Sequence, residues 1–143
     1  YWVVRDAGFS PEQLTVFKYQ SEGAATLEDG LYVNEKNLGD AAFKDKMVRF
    51  VRASMKGWKY AEANPKEAAM IILDNDDAGV QTEKHQVRMM GEIAKLTAGS
   101  NGSLDEADYE RTVKVLMSGD SDPVITKKPS GAWTSEITNA ALN

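Results

Sequence analysis

The sequence predicts a helix-rich α/β protein with few strands, and two observations support this fold class. The front of the chain holds short runs of β-branched and aromatic residues, "YWVV" and "LTVFKYQ", separated by Gly8 and Pro11. From about residue 40 onward, apolar residues recur at spacings of three and four, the period of an amphipathic helix. We therefore expect at most three strands at the front, with helices behind them.

The predicted strands are "YWVV", "LTVFKYQ" and "LYVN", the last at residues 31–34. Between the first two, "DAGFSPEQ" predicts either a helix end followed by a loop, or a helical turn that starts at Ser10, Pro11 and Glu12. A sheet this small leaves its edges and one face uncovered. We therefore expect the strands to belong to a larger sheet.

The first long helix is predicted over residues 40–62, and the next begins at "NPKEAAMIIL". There, Asn64 is expected to cap, Pro65 to take the first helical position and Glu67 to close a capping box. The apolar stripe of the first helix consists of Phe43, Met47, Phe50, Val51, Ser54, Met55 and Trp58.

Further helices are predicted over "TEKHQVRMMGEIAKLT", "SLDEADYERTVKVLMSG" and "AWTSEITNAAL". In the second of these, Ser103 is the expected cap, with Glu106 three residues on, and Gly119 is the expected end. Trp133 is expected to pin the last helix to the rest of the protein.

Length and composition restrict the function classes. The 143 residues suffice for one ordinary domain, and the net charge of −5 with no basic run beyond Lys127-Lys128 argues against nucleic acid. No apolar run approaches the ~20 residues of a membrane span. With no cysteine, the chain has no disulfide, thiol nucleophile or Cys-based zinc site.

Three blocks of the sequence resemble one family. "TVFKYQSEGAATLEDGLYVNEKNL", "FVRASMKGWKYAEANPKEAAMIIL" and "DPVITKKPSGAWTSEITNAAL" resemble the periplasmic solute-binding proteins of ABC importers. The nearest branch is the nitrate/sulfonate/taurine and thiamine-pyrimidine-precursor-synthase-like group, and the most specific block is Gly57 to Ala68. Such proteins are roughly twice as long, and this chain begins Tyr-Trp-Val-Val without an initiator Met. The resemblance therefore implies the helix-rich C-terminal half of a two-lobed type II binding-protein fold.

The resemblance also implies a division of the chain. Residues 1–30 would hold the end of the second lobe and the hinge, and residues 31–143 the C-terminal, helical part of the first lobe. In "LEDGLYV", Gly30 would supply unusual backbone angles to a crossing segment that moves when the cleft closes. From the residues alone, the same stretch is a strand-to-strand turn with solvated acids.

Three places are candidates for contact with a solute. The ring of Trp2 suits stacking on a heterocycle, although it also suits a core position beside Val3. Ser21 and Glu22 follow a predicted strand, where loop N–H groups and short polar side chains converge on ligands, although an ordinary polar loop has the same composition. The predicted hinge offers a third group of polar side chains: Glu28, Asp29 and Tyr32.

The other conspicuous residues are interpreted as structural. Trp58, Tyr60 and the pair Met89-Met90 are expected in the core, because a stripe at helical spacing is usually buried. The single histidine, His85, is expected to be solvent-exposed rather than a ligand or base. The acids of "LDNDDAG" lack the glycine and terminal glutamate of a calcium loop. We predict no catalytic residue, metal or cofactor.

The main functional hypothesis is a non-enzymatic binder. It takes a small polar or heteroaromatic solute between two lobes and delivers it to an ABC permease, in the periplasm or another extracytoplasmic place. Its expected partners are the solute, the permease, the missing N-terminal half or a second copy of the fragment, and no nucleic acid.

Two alternatives remain open: a free-standing helical protein-interaction domain, and a relative of the pyrimidine-precursor synthases. Those enzymes carry a cysteine-rich motif and a histidine of their own, whereas this chain has no Cys and one His. A gene that continues upstream with a βα-rich stretch would favour the binder over the interaction domain. The acids near the predicted hinge favour a neutral or cationic heterocycle, such as a thiamine pyrimidine precursor, over an anion.

Overall fold

The computed structural model describes residues 1–119 and 121–142. The α-helices of this part are α1 (Trp2–Asp6), α2 (Ala41–Ala63), α3 (Pro65–Asp74), α4 (Glu83–Thr97), α5 (Glu106–Met117) and α6 (Glu136–Leu142). Two 3₁₀ helices lie at Pro11–Gln13 and Glu35–Gly39. None of these helices is both long and apolar enough to cross a membrane.

The chain divides into two compact units. Unit 1 consists of Tyr1–Val33 and Leu104–Thr134, and unit 2 of Asn34–Ser103 and Ser135–Asn143. Unit 1 therefore holds α1 and α5, whereas unit 2 holds the other four α-helices. The predicted assignment of residues 1–30 and 31–143 to two lobes remains a prediction.

The helix-rich part of the fold prediction is confirmed, but the predicted strands are wrong for the residues that the structure describes. "YWVV" lies mostly in α1, and "LTVFKYQ" and "LYVN" lie largely outside any helix. Leu14 does have extended backbone angles, with φ −115° and ψ 129°. An extended segment becomes a strand only when a neighbour accepts and donates its backbone hydrogen bonds, and no such neighbour occurs within residues 1–119 and 121–142.

The helices match the sequence pattern more closely. The predicted turn at Ser10 is the 3₁₀ helix Pro11–Gln13, and the Ser10 N–H donates to Gln13 Oε1 at 2.8 Å. The Ser10 hydroxyl, hydrogen-bonded to the Glu12 carboxylate, lowers the pKa of Glu12. The long helix predicted over 40–62 is α2, capped by Asp40, whose Oδ1 accepts from the Ala42 N–H at 2.8 Å.

The predicted capping box at the start of α3 is wrong, although Pro65 does occupy the first turn. The Asn64 side chain turns back and donates from Nδ2 to the Tyr60 carbonyl at 3.0 Å, so it leaves the α3 N–H groups uncapped. Glu67 instead accepts a hydrogen bond from the Tyr60 hydroxyl, which raises the pKa of Tyr60. Asn64 and Glu67, at the start of α3, thus both contact Tyr60 near the end of α2.

The predicted cap of α5 is also wrong, whereas its predicted end agrees with the structure. Asp105, rather than Ser103, is the cap, because its Oδ1 accepts from the N–H groups of Ala107 and Asp108 at 2.8 and 3.1 Å. The helix ends at Met117 with Ser118 as its C-cap, and Gly119 follows directly, as predicted. A carboxylate that satisfies two free N–H groups at the positive helix end caps better than a hydroxyl two residues earlier.

Unit 2 has a small core where α3 packs on α4. Ala68 and Ala69 are buried against Met90, with Ala61 and Val87 partly buried beside them. Alanine faces let the two helix backbones approach closely, but they bury little apolar area. Met90 therefore confirms the expected core position in α4, whereas Met89 is only half-buried.

The short helix α6 is joined to α2 by polar contacts. Arg52 donates from Nε and Nη2 to the carbonyls of Ala141 and Ala140, both at 3.1 Å, and so satisfies carbonyls at the end of α6. At the other end, Lys44 Nζ contacts Glu136 Oε1 at 2.6 Å. These contacts lie beside the buried side chains of Ile137 and Ala141.

Two of the structural interpretations are wrong. Trp58 and Tyr60 were expected in the core, but they are 45% and 43% exposed, because α2 buries only part of its stripe. Trp133 precedes α6 and belongs to unit 1, where its ring lies 6.1 Å from that of Tyr109, and its expected role in pinning the last helix remains a prediction. His85 is half-buried in α4 rather than solvent-exposed.

Candidate functional site

Trp2 lies in the first turn of α1, not at the end of a strand. Its ring meets that of Tyr1 edge-on, with centroids 4.9 Å apart and an interplanar angle of 72°. Trp2 is half-buried, but Val3 is 69% exposed, so the core position beside Val3 is wrong as well. One end of this short helix is held by Arg5, whose Nη1 donates to the Phe9 carbonyl at 2.6 Å.

Ser21 and Glu22 lie in a tight turn that uses its own backbone N–H groups. The N–H groups of Ser21 and Glu22 both donate to the Lys18 carbonyl, at 2.9 and 3.2 Å, and that of Ala24 donates to Tyr19 at 2.9 Å. The expectation that these N–H groups converge on a ligand is therefore wrong. The exposed side chains of Ser21 and Glu22 are what this turn offers to a solute.

The segment from Leu27 to Val33 holds the other three predicted contact residues, and all of them are exposed. Gly30 does not adopt a left-handed φ, so the expected unusual backbone angle is wrong. Instead, the Tyr32 side chain lies against Gly30: a Cβ at residue 30 would sit 3.1 Å from Tyr32 Oη. A side chain at residue 30 would require the exposed Tyr32 ring to shift slightly, and Glu28 and Asp29 are exposed in the same stretch.

All six predicted contact residues thus lie in unit 1, in three separate stretches of its first thirty-three residues. Three of them, Glu22, Glu28 and Asp29, are exposed acids. An exposed carboxylate can pair with an amine, and an aromatic ring can stack on a heterocycle.

Sequence reasoning missed two residues of α5 that hold the backbone directly before Glu28. Arg111 Nε donates to the Ala25 carbonyl at 3.0 Å, and the Leu27 N–H donates to Thr112 Oγ1 at 2.8 Å. These contacts span more than eighty residues of sequence. No local pattern in "DYERTVKV" indicates them.

Unit 1 also contains an open depression of about 440 Å³, which includes none of the predicted contact residues. The Glu110 carboxylate on one side pairs with Lys128 at 2.7 Å and raises the pKa of Lys128. The ion pair leaves Lys114 as a further cation beside an apolar floor. The lining residues are Glu110, Val113, Lys114, Met117, Ser118 and Lys128.

The described residues contain no group of three or more His, Cys, Asp or Glu side chains arranged to hold a metal ion. The acids of "LDNDDAG" are partly engaged locally, since Asp76 Oδ2 accepts from the Gln81 N–H at 2.7 Å.

A comparison with family models matches residues 5–68 to the family described as NMT1/THI5 like. The matched range includes the turn at Ser21 and the stretch from Glu28 to Tyr32, together with α2 and the start of α3. No curated protein and no solved structure matches the chain.

Proposed function

We propose that this chain is part of a solute-binding protein of an ABC import system, and that unit 1 contributes one wall of the solute site. The observation that carries the proposal is the match of residues 5–68 to the NMT1/THI5 like family. Five of the six predicted contact residues lie inside this range; Trp2 lies just before it.

The chemistry of the wall favours a solute that carries an amine or a protonated ring nitrogen. Glu28 and Asp29 are exposed and adjacent, and Tyr32 offers a ring and a hydroxyl beside them. A carboxylate hydrogen-bonded to a cationic or amino group forms a stronger contact than a neutral pair does. A thiamine pyrimidine precursor has this chemistry, whereas nitrate and sulfonates would require cations that this segment lacks.

The proposed role is non-catalytic and extracytoplasmic. The protein would close over its solute and present it to a membrane permease, with affinity gained by excluding water from the closed site. The absence of cysteine from the chain supports the binder over a pyrimidine-precursor synthase with a cysteine-rich motif.

A thermal-shift screen of the complete gene product tests the proposal. We expect an aminopyrimidine to raise the melting temperature, and riboflavin, taurine and nitrate to have no effect. Stabilisation by taurine or nitrate alone would retain the transport role but overturn the solute class. No response to any of these solutes would count against the binder itself.

Paired substitutions then test the site. Glu28→Gln and Asp29→Asn should each weaken aminopyrimidine binding by roughly tenfold, the value of one charge-assisted hydrogen bond. Glu35→Gln is the matched control, because Glu35 is an equally exposed acid in the following 3₁₀ helix. Equal effects of all three variants in calorimetry would show a general loss of negative charge rather than a specific contact.

A second candidate is the helical interaction domain, which the exposed face of α2 favours. Phe50 is 53% exposed and Trp58 45% exposed, two turns apart on one helix. Pull-down with the wild-type chain and with Phe50→Ser tests this: an interaction domain loses its partner, whereas a solute binder keeps its solute affinity.

A further inference from the structure

We propose that Arg111 and Thr112 of α5 are positioning residues that hold the backbone of residues 25–27 and thereby place Glu28 and Asp29. We call these two side chains, with the Ala25 carbonyl and the Leu27 N–H, the backbone clamp. This inference rests on the proposed function, because it assigns the placement of the predicted solute contacts to two residues outside them.

The clamp makes two hydrogen bonds to the backbone of residues 25–27. In one, a side chain of α5 donates to a carbonyl, and in the other a side chain of α5 accepts from an N–H. Arg111 Nε donates to the Ala25 carbonyl at 3.0 Å, and Thr112 Oγ1 accepts from the Leu27 N–H at 2.8 Å. In an extended chain, the C=O of one residue and the N–H of the next but one face the same side. The two side chains of α5 thus bond one C=O and one N–H of this segment, as a neighbouring strand does in a sheet.

Each side chain of the clamp is fixed by Asp108, one turn earlier on α5. The Thr112 hydroxyl donates its proton to the Asp108 carbonyl at 2.9 Å, so its lone pairs face the Leu27 N–H. Arg111 Nη1 contacts Asp108 Oδ1 at 2.6 Å, which orients the guanidinium group with Nε towards Ala25. The Asp108 N–H is in turn held by the Asp105 cap. The clamp is thus built on the first two turns of a capped helix.

The clamp also marks where the chain becomes free. Ala25 and Thr26 are half-buried, whereas the residues from Leu27 to Val33 are exposed. The next backbone N–H after Leu27 that is held by a hydrogen bond is that of Lys36, which donates to the Asn34 side chain at 3.0 Å. Residues 28–33, which also belong to unit 1, therefore follow a point that α5 holds at the Leu27 N–H, and the positions of Glu28 and Asp29 depend on this contact.

Hydrogen exchange resolved by NMR on the 143-residue chain tests the clamp without any ligand. Thr112→Val removes the acceptor and keeps the side-chain shape, whereas Thr112→Ser keeps the hydroxyl. We expect the Leu27 amide to exchange about fivefold faster in Thr112→Val, as the loss of one net hydrogen bond implies, and to recover in Thr112→Ser. The Asn64 amide, bonded to Tyr60 in unit 2, is the internal control for overall stability. Unchanged exchange at Leu27 would overturn the clamp.

Calorimetry on the complete gene product, with an aminopyrimidine as the probe, tests the positioning role. We expect Thr112→Val and Arg111→Gln to weaken binding by roughly threefold to tenfold, and Thr112→Ser to bind as the wild type does. Faster exchange at Leu27 with unchanged affinity would overturn the positioning role and leave the proposed function standing. Absence of binding by the wild type would overturn the proposed function and the clamp's role in binding, while the exchange experiment decides the clamp itself.

Discussion

The contact between Gly30 and Tyr32 places a constraint on a single residue. A Cβ at residue 30 would lie 3.1 Å from Tyr32 Oη and 3.2 Å from Cζ, closer than ordinary contact. Tyr32 is 83% exposed, so its ring can move away at little cost. We therefore expect Gly30→Ala to change the free energy of unfolding by less than about 0.5 kcal/mol, but to shift the NMR signals of the Tyr32 ring.

Gly39→Ala is the control for this substitution, because a Cβ there meets nothing within 4 Å. Its Tyr32 signals should be those of the wild type. A loss of several kcal/mol in Gly30→Ala, measured by denaturant unfolding, would mean that residue 30 needs glycine for its backbone angles, as a hinge of the predicted kind would.

The hydrogen bond from Tyr60 to Glu67 predicts a pH dependence at the junction of α2 and α3. It raises the pKa of Tyr60 above the ordinary value of 10.0, because the carboxylate accepts from the neutral phenol. Since the folded pKa is the higher one, the stabilisation is fully present below the unfolded pKa and is lost as the pH rises through the folded pKa. We expect Glu67→Ala to return the tyrosinate absorbance midpoint of Tyr60 to its ordinary range.

Tyr60→Phe identifies which part of the titration curve belongs to Tyr60, since the chain has five tyrosines. Subtracting the titration curve of Tyr60→Phe from that of the wild type leaves the titration of Tyr60. The midpoint of this difference curve should move to lower pH when Glu67 is replaced by alanine. A Tyr60 midpoint that is the same with and without Glu67 would contradict the hydrogen bond.

At the scale of an element, α5 depends on its cap. Asp105→Ala removes the acceptor of the Ala107 and Asp108 N–H groups and should destabilise the chain by about 1 kcal/mol. Ser103→Ala is the matched control and should be neutral in thermal unfolding followed by circular dichroism. A larger destabilisation by Ser103→Ala than by Asp105→Ala would contradict Asp105 as the cap and indicate Ser103 instead.

The helices were predictable from the sequence because their signals are local. The three-and-four spacing from Phe43 to Trp58 and the proline at residue 65 fix α2 and α3 to within a residue or two. Caps were less predictable, since Asp105 and Ser103 both have suitable side chains and only the geometry of the first turn distinguishes them. The Asn64 side chain illustrates the same limit, because its choice of the Tyr60 carbonyl depends on where α2 ends.

The strands were not predictable because a strand is a relation between two segments. "LTVFKYQ" has the composition of a strand, yet its residues lie exposed without a partner strand in residues 1–119 and 121–142. A backbone N–H can bond to a side chain instead of a partner strand, as the Leu27 N–H does when it donates to the Thr112 hydroxyl on α5. The predicted contacts Glu28, Asp29 and Tyr32 came from a family resemblance, whereas the clamp that holds the backbone before them came from the structure alone.

At the scale of the whole molecule, many apolar side chains of both units are exposed. In unit 1, Phe17 is 73% exposed, and in unit 2, Ile71 is 51% exposed. Covering a large apolar side chain contributes about 1.5–3 kcal/mol, and contiguous exposed patches usually mark an interface. We therefore expect the 143-residue chain to associate in solution, either with a second copy or with the rest of a longer protein.

Size-exclusion chromatography with light scattering tests this expectation, and Phe17→Ser is the informative variant. Phe17 lies beside a polar turn, so its replacement removes an exposed ring without leaving a cavity. We expect the wild-type chain to elute as a dimer or larger species and Phe17→Ser to shift towards the monomer, with Gln20→Ser, an exposed polar neighbour, as the control. A wild-type monomer that unfolds sharply with heat would contradict the prediction, because each unit would then be stable with its apolar side chains in water.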